Sequence, residues 1–173
     1  MSRQGIAKGP PAGGVDREKS TLRLRPFQDS DLEILHRIDQ SCFPAGVAYS
    51  LAELEKFIRR PSASTWVAEA GENIVGFVVA NREQHDTGHI ITLDVVEDRR
   101  RAGVGTALMN AAEGWVRQQG ARFIYLETAE DNAAAQSFYR RRGYQKLRGL
   151  ENYYGNGTAA WLMAKRLPDR RDR

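Results

Sequence analysis

Residues 89–128, HIITLDVVEDRRRAGVGTALMNAAEGWVRQQGARFIYLET, constrain the fold most, because they read as strand, glycine turn, helix and strand with little slack between them. HIITLDVV is the most continuously apolar strand pattern in the chain, as expected of a strand buried on both faces near the middle of a sheet. From Gly103 to Gln119 the residues Val104, Leu108, Ala112, Trp115 and Val116 share one helical stripe, while Arg117 and Gln118 point elsewhere. Gly120 then supplies a left-handed stop, and RFIYLET follows as the next strand.

The remaining segments fit around this unit. TLRLRPF alternates Leu22 and Leu24 against Arg23 and Arg25, a half-buried strand stopped at Pro26. Two helices follow: one carries Leu32, Leu35, Ile38 and Cys42 at spacings of three and four, and the other opens on the capping box Ser50/Glu53. STWVAEA and NIVGFVVANRE read as an antiparallel pair of strands about Gly71, Glu72 and Asn73. NAAAQSFYRRRG predicts a short helix with Asp131 or Asn132 as N-cap and Gly143 as terminator. YQKLRGLENYY and TAAWLMAKRL predict a last hairpin about the GNG turn. The order describes an α/β or α+β mixture without repeats, one mixed sheet with helices on both faces. The expected domain is residues 21–167, flanked by a flexible basic N-terminal tail over 1–20 and a charged C-terminal tail over 168–173.

Composition narrows the function. One cysteine in 173 residues excludes an intramolecular disulfide, and His36, His85 and His89 are too scattered for a zinc site, so a cytoplasmic, metal-free protein is expected. The net charge of +4 suits an anionic small ligand and falls short of a nucleic-acid coat, and no apolar run reaches the length of a membrane span. For RRRAGVGTAL, three readings compete. A bare strand-to-helix turn needs the glycines but leaves the arginines unexplained. A dinucleotide fingerprint would place its third glycine at residue 108, which is Leu108. A pyrophosphate cradle for coenzyme A uses everything: bare backbone amides, a positive helix end and arginine donors.

The spacing Arg100, Gly103, Gly105 resembles the acetyl-CoA-binding motif of the GNAT N-acetyltransferase superfamily. NAAAQSFYRRRGY is similar to a second segment of that superfamily through Asn132, Ala135, Phe138, Tyr139, Gly143 and Tyr144. LET at Leu126–Thr128, with CFP near the start and YYGNGTAAWLM near the end, resembles the ribosomal-protein-alanine N-acetyltransferase group. The loop AGVAYS and Ala159 depart from that group's pattern at positions that bear on the acceptor.

The resemblance implies a mostly antiparallel sheet of about seven strands with a splay between the fourth and fifth. It implies acetyl-CoA as cosubstrate, held by the backbone of Leu93, Asp94 and Val95, by the turn Arg100, Arg101, Ala102, Gly103, Val104, Gly105 and Thr106, and by Asn132 and Tyr139. Tyr139 is then the general acid toward the departing sulfur. Glu127, at the end of an apolar strand where partial burial suits a carboxylate to proton removal, is expected to be the base toward the amine, directly or through water. Tyr153 and Tyr154 are expected to line the acceptor slot, while His89 and Cys42 read as structural. The expected activity is direct acetyl transfer to a primary amine, foremost a protein or peptide N-terminus, by a monomer or homodimer with no nucleic-acid or membrane partner. Two alternatives stay open: a small-molecule amine acceptor, and a non-catalytic acyl-CoA-binding module.

Overall fold

The computed structural model describes residues 21–84 and 86–168. The two expected tails lie outside the described residues, apart from Pro168. The strands are β1 (Leu22–Pro26), β2 (Ala63–Ala70), β3 (Asn73–Arg82), β4 (Thr87–Val95), β5 (Phe123–Ala129), β6 (Gln145–Leu150) and β7 (Ala160–Arg166). The helices are α1 (Leu32–Cys42), α2 (Leu51–Ile58), α3 (Val104–Gln118) and α4 (Ala133–Arg141). One seven-stranded sheet runs in the order β1-β2-β3-β4-β5-β7-β6. Only the β4–β5 pair is parallel, because α3 crosses over between them.

Local chemistry sets the helix ends. Ser50 accepts from the Glu53 amide while the Glu53 carboxylate accepts from the Ser50 amide, closing the capping box that starts α2. Gly120 (φ 93) and Gly143 (φ 89) end α3 and α4 in the left-handed region. The sheet separates two apolar layers. On one face α3 sets Val104, Leu108, Met109, Ala112 and Val116 against Val78, Ala80, Ile124, Leu126 and Met163. On the other, Leu35, Ile38, Leu54 and Ile58 of α1 and α2 cover Val67, Phe77 and Val79. Truncating a fully buried side chain such as Leu108 to Ala would cost about 3 kcal/mol, the transfer term plus an unfilled cavity.

Two strands differ from expectation. HIITLDVV is not buried on both faces: burial alternates along β4, and β3 is the strand buried continuously from Val75 to Asn81. The reason is the pairing. β4 pairs with β5 only through Thr87↔Phe123, Gly88↔Ile124 and His89↔Tyr125, whereas against β3 it stays paired to Val95. Ile91 is an extra residue, lying between the pairs Val79↔Thr92 and Ala80↔Ile90, and a bulge of this kind sharpens the twist and bends its strand. β4 and β5 therefore part like the legs of a V. The last hairpin also differs, since β6 stops at Leu150, is exposed at Gln145–Gly149, and reaches β7 through a long loop over 151–159. Among the described residues no helix is long and apolar enough to cross a membrane.

Candidate active site

Where β4 and β5 part, the facing edges of Ile90–Val95 and Leu126–Ala129 have no strand between them, so backbone N–H and C=O groups are left for another partner. A cleft of about 740 Å³ opens there. It runs from the N-terminal end of α4 to a roof made by two loops, 43–50 and 151–159. The roof is closed at backbone level: a Cβ on Gly46 would stand 2.9 Å from Asn156, and one on Gly155 would stand 3.1 Å from the Gly46 carbonyl.

One end of the site is cationic and bare. Past Val95 the chain makes a short helical turn (Glu97–Arg99), with Arg101 (φ 60) and Gly103 (φ 86) both left-handed, and so reaches α3. Gly103 is the N-cap and offers no side chain to the first amides of the helix. The first turn of any α-helix leaves such amides without intrahelical acceptors, and here they belong to Val104, Gly105 and Thr106. A Cβ on Gly103 would have no heavy atom within 4 Å, and one on Gly105 would touch only Phe138 and Val95. Arg99, Arg100, Arg101 and Ala102 are exposed, and the first turn of α3 carries no acidic residue. Arg100 is aimed by its Nε donating to the Val95 carbonyl at 3.1 Å. An anion with several oxygens fits this concavity.

Beside it, α4 is fixed by charge and caps. Asn132 accepts from the Ala135 amide at 3.0 Å. Glu113 of α3 receives Lys165 at 2.7 Å, Arg142 at 3.0 Å and the Tyr144 hydroxyl at 3.1 Å, tying α3, α4 and β7 together. This holds Tyr139 buried between the rings of Phe138 and Tyr144 while the residue still lines the cleft. Burial first, then the Asp94 carboxyl, pushes its phenol above the ordinary range, so Tyr139 is held as a neutral phenol.

Leu93 lines the cleft, and Val95 offers its carbonyl to Arg100 and, at 3.5 Å, to the Cys42 thiol. The Asp94 carboxyl faces the other way. Opposite Phe77 in the sheet and buried on the α1 side, it accepts from Thr92 Oγ1 at 3.2 Å, so only its backbone can serve the cleft.

Toward the other end four more tyrosines, Tyr49, Tyr125, Tyr153 and Tyr154, line the cleft with Glu127 and Glu83. Burial and the neighbouring Glu127 push Tyr154 up to about 12, and burial with Glu83 and then Glu127 does the same to Tyr125. Tyr49 and Tyr153 are pushed higher still, burial again being the largest cause. The tyrosines are therefore neutral hydrogen-bond donors. Glu127 has a close partner in His89, whose Nε2 lies 2.7 Å from Glu127 Oε2. Its ring stacks on Tyr125 at 4.2 Å, and its Nδ1 is 3.7 Å from Glu83. Sequence reasoning set His89 aside. No local signal marks it, because the pairing His89↔Tyr125 in a parallel register places it beside Glu127.

A family profile described as Acetyltransferase (GNAT) family matches residues 32–144. This chain belongs to the GNAT acetyltransferases. An N-alpha-acetyltransferase of Sulfurisphaera tokodaii is 28% identical over 157 residues, covering 84% of this chain and 93% of its own. N-alpha-acetyltransferase 30 of Schizosaccharomyces pombe is 33% identical over 117 residues, 65% of this chain and 78% of its own. The crystal structure of Ard1 from Thermoplasma volcanium superposes with a TM-score of 0.79 at 29% identity, over 86% of this chain and 99% of that one. The chain is thus an acetyl-CoA-dependent acetyltransferase, and the bare turn at Gly103 is suited to a diphosphate by its open space and free amides.

Proposed function

We propose that this enzyme acetylates the α-amine of a protein or peptide N-terminus. The observation that carries the reading is the roofed slot: Gly46 and Asn156 meet backbone to backbone above the tyrosines, so an acceptor enters end-on, as the free end of an extended chain does. The relatives named N-alpha-acetyltransferase support it.

The residues divide the work. The turn Arg100–Thr106 holds the diphosphate of acetyl-CoA with amides and guanidinium groups, and Asn132 with the free edge of Leu93–Val95 receives the pantetheine arm. When bound, acetyl-CoA supplies a thioester carbonyl for attack. Glu127, hydrogen-bonded to His89, takes a proton from the incoming ammonium, directly or through a water, which frees the nitrogen lone pair. As nitrogen bonds to the acetyl carbon and the carbon–sulfur bond breaks, Tyr139 donates its phenolic proton to the sulfur. The nitrogen sheds its second proton as the amide forms, that proton replaces the one Tyr139 gave to sulfur, and the proton held by Glu127 passes to solvent, the one net proton of the reaction. Tyr153 and Tyr154 flank the acceptor.

A thiol-release assay with peptides of different first residues, N-terminally blocked peptides carrying an internal lysine, and free amino acids and polyamines tests this. Turnover is expected on free peptide N-termini and not on blocked peptides. Turnover confined to small amines would overturn the reading.

A further inference from the structure

Two adjacent arginines end α2, and they face opposite fates. Arg59 turns to solvent and is already paired with two carboxylates, Nε on Glu55 at 2.8 Å and Nη1 on Asp29 at 3.1 Å. Arg60 turns into the acceptor end of the cleft, half-buried, its guanidinium laid on the Phe57 ring at 4.6 Å. No carboxylate among the described residues comes within 4 Å of it. The carboxylates nearby are occupied: Glu83 accepts from Asn81 at 2.8 Å and faces His89, and Glu127 is bound to His89. Phe57 in turn packs edge-on against Tyr49 at 5.0 Å, so the guanidinium rests on a fixed shelf. A cation held over an aromatic ring at the wall of a cleft, without a carboxylate partner, is arranged to receive an anion.

Its position says which anion. Arg60 lines the same cleft as Tyr125 and Glu127, and Tyr125 lies two residues before Glu127 on β5. That step is ~6.6 Å along a strand, about two residues of an extended peptide whose amine sits at Glu127. We propose that Arg60 is the specificity-determining residue of the acceptor end, pairing with an acidic side chain at the second or third position of the substrate so that acidic N-termini are preferred. This rests on the peptide reading above and names the class of peptide.

The test uses three peptides identical except at positions two and three, which are both Asp, both Ala or both Lys. They are assayed with the full chain as wild type, Arg60→Gln and Arg60→Glu. Wild type is expected to show KM rising from Asp to Ala to Lys, with about tenfold between the first two, the size of one charge-assisted contact. Arg60→Gln should collapse that ratio to about one, and Arg60→Glu should reverse the order. Raising ionic strength should compress the wild-type ranking. Peptides acetylated by wild type without ranking, or a ranking that persists in both variants, would overturn the role of Arg60 while leaving peptide acetylation standing. Failure of wild type to acetylate any of the three would remove both.

Discussion

The donor and acceptor ends of the cleft are assembled in different ways. The donor turn comes from one continuous stretch, 95–106, in which strand end, helical turn, glycine N-cap and helix start follow each other without a break. The acceptor end is gathered from five places: the loop 43–50, the end of α2, β4 near His89, β5 near Glu127, and the loop 151–159. Binding a cosubstrate shared by a whole family asks only for a fixed local shape. Choosing an acceptor asks for side chains brought together across the fold, where single substitutions can retune the choice without touching the donor.

Substitutions should separate the two ends. Tyr139→Phe should cause the largest loss, ~100-fold in kcat with acetyl-CoA affinity nearly unchanged, because only the proton to sulfur is removed. Thiol-release kinetics check it, and wild-type turnover would take Tyr139 out of the chemistry. Glu127→Gln should cost somewhat less, ~10-fold to 100-fold in kcat, since a water can carry part of the proton load. Single-turnover measurements with a saturating peptide check this. Gly46→Val should act on the roof alone. Its branched side chain meets Asn156 backbone at 2.9 Å and sits at φ 82, so the loops part and the peptide KM rises ~10-fold while acetyl-CoA binding stays as it is.

The smallest effect concerns the acid behind the acceptor loop. Asp39 is buried, accepts from the Tyr49 amide at 2.8 Å through Oδ2, and has no partner for Oδ1. Burial lifts its carboxyl from an ordinary 3.8 to about 6, so the folded state binds this proton more tightly than the unfolded chain. Its contribution to stability is therefore most favourable at the acid end of that interval, falls as pH rises through it, and is flat above. Asp39→Asn keeps the bond to Tyr49 and should stabilise the protein by ~2 kcal/mol at neutral pH, with the slope between pH 4 and 6 made shallower, the buried Asp94 supplying what remains. Urea unfolding across that range checks it, and an unchanged slope would contradict it.

The same contrast explains what the sequence discloses. α3, α4 and the Ser50 capping box are legible because their signals, an apolar stripe, an N-cap and a closing glycine, lie within one turn of where they act. The spacing of Gly103, Gly105, Asn132 and Tyr139 is local in the same sense. β4 misleads because its apolar residues suggest two buried faces, while one extra residue, Ile91, turns it from β5 and opens the cleft. His89 and Arg60 leave no mark in their own neighbourhoods. Strand register and the direction in which α2 ends bring them to the acceptor, and those depend on the whole sheet.

If the diphosphate of acetyl-CoA sits on the amides at the start of α3, the two ends of that helix must answer differently to the same substitution. Gly103 (φ 86) and Gly120 (φ 93) are both left-handed with open space where a Cβ would project, so a glutamate costs similar backbone strain at either. Calorimetric titration of acetyl-CoA into Gly103→Glu should show binding weakened at least ~100-fold, bulk and negative charge having replaced a bare cradle, while Gly120→Glu binds as wild type does. Equal binding by all three proteins would place the diphosphate elsewhere.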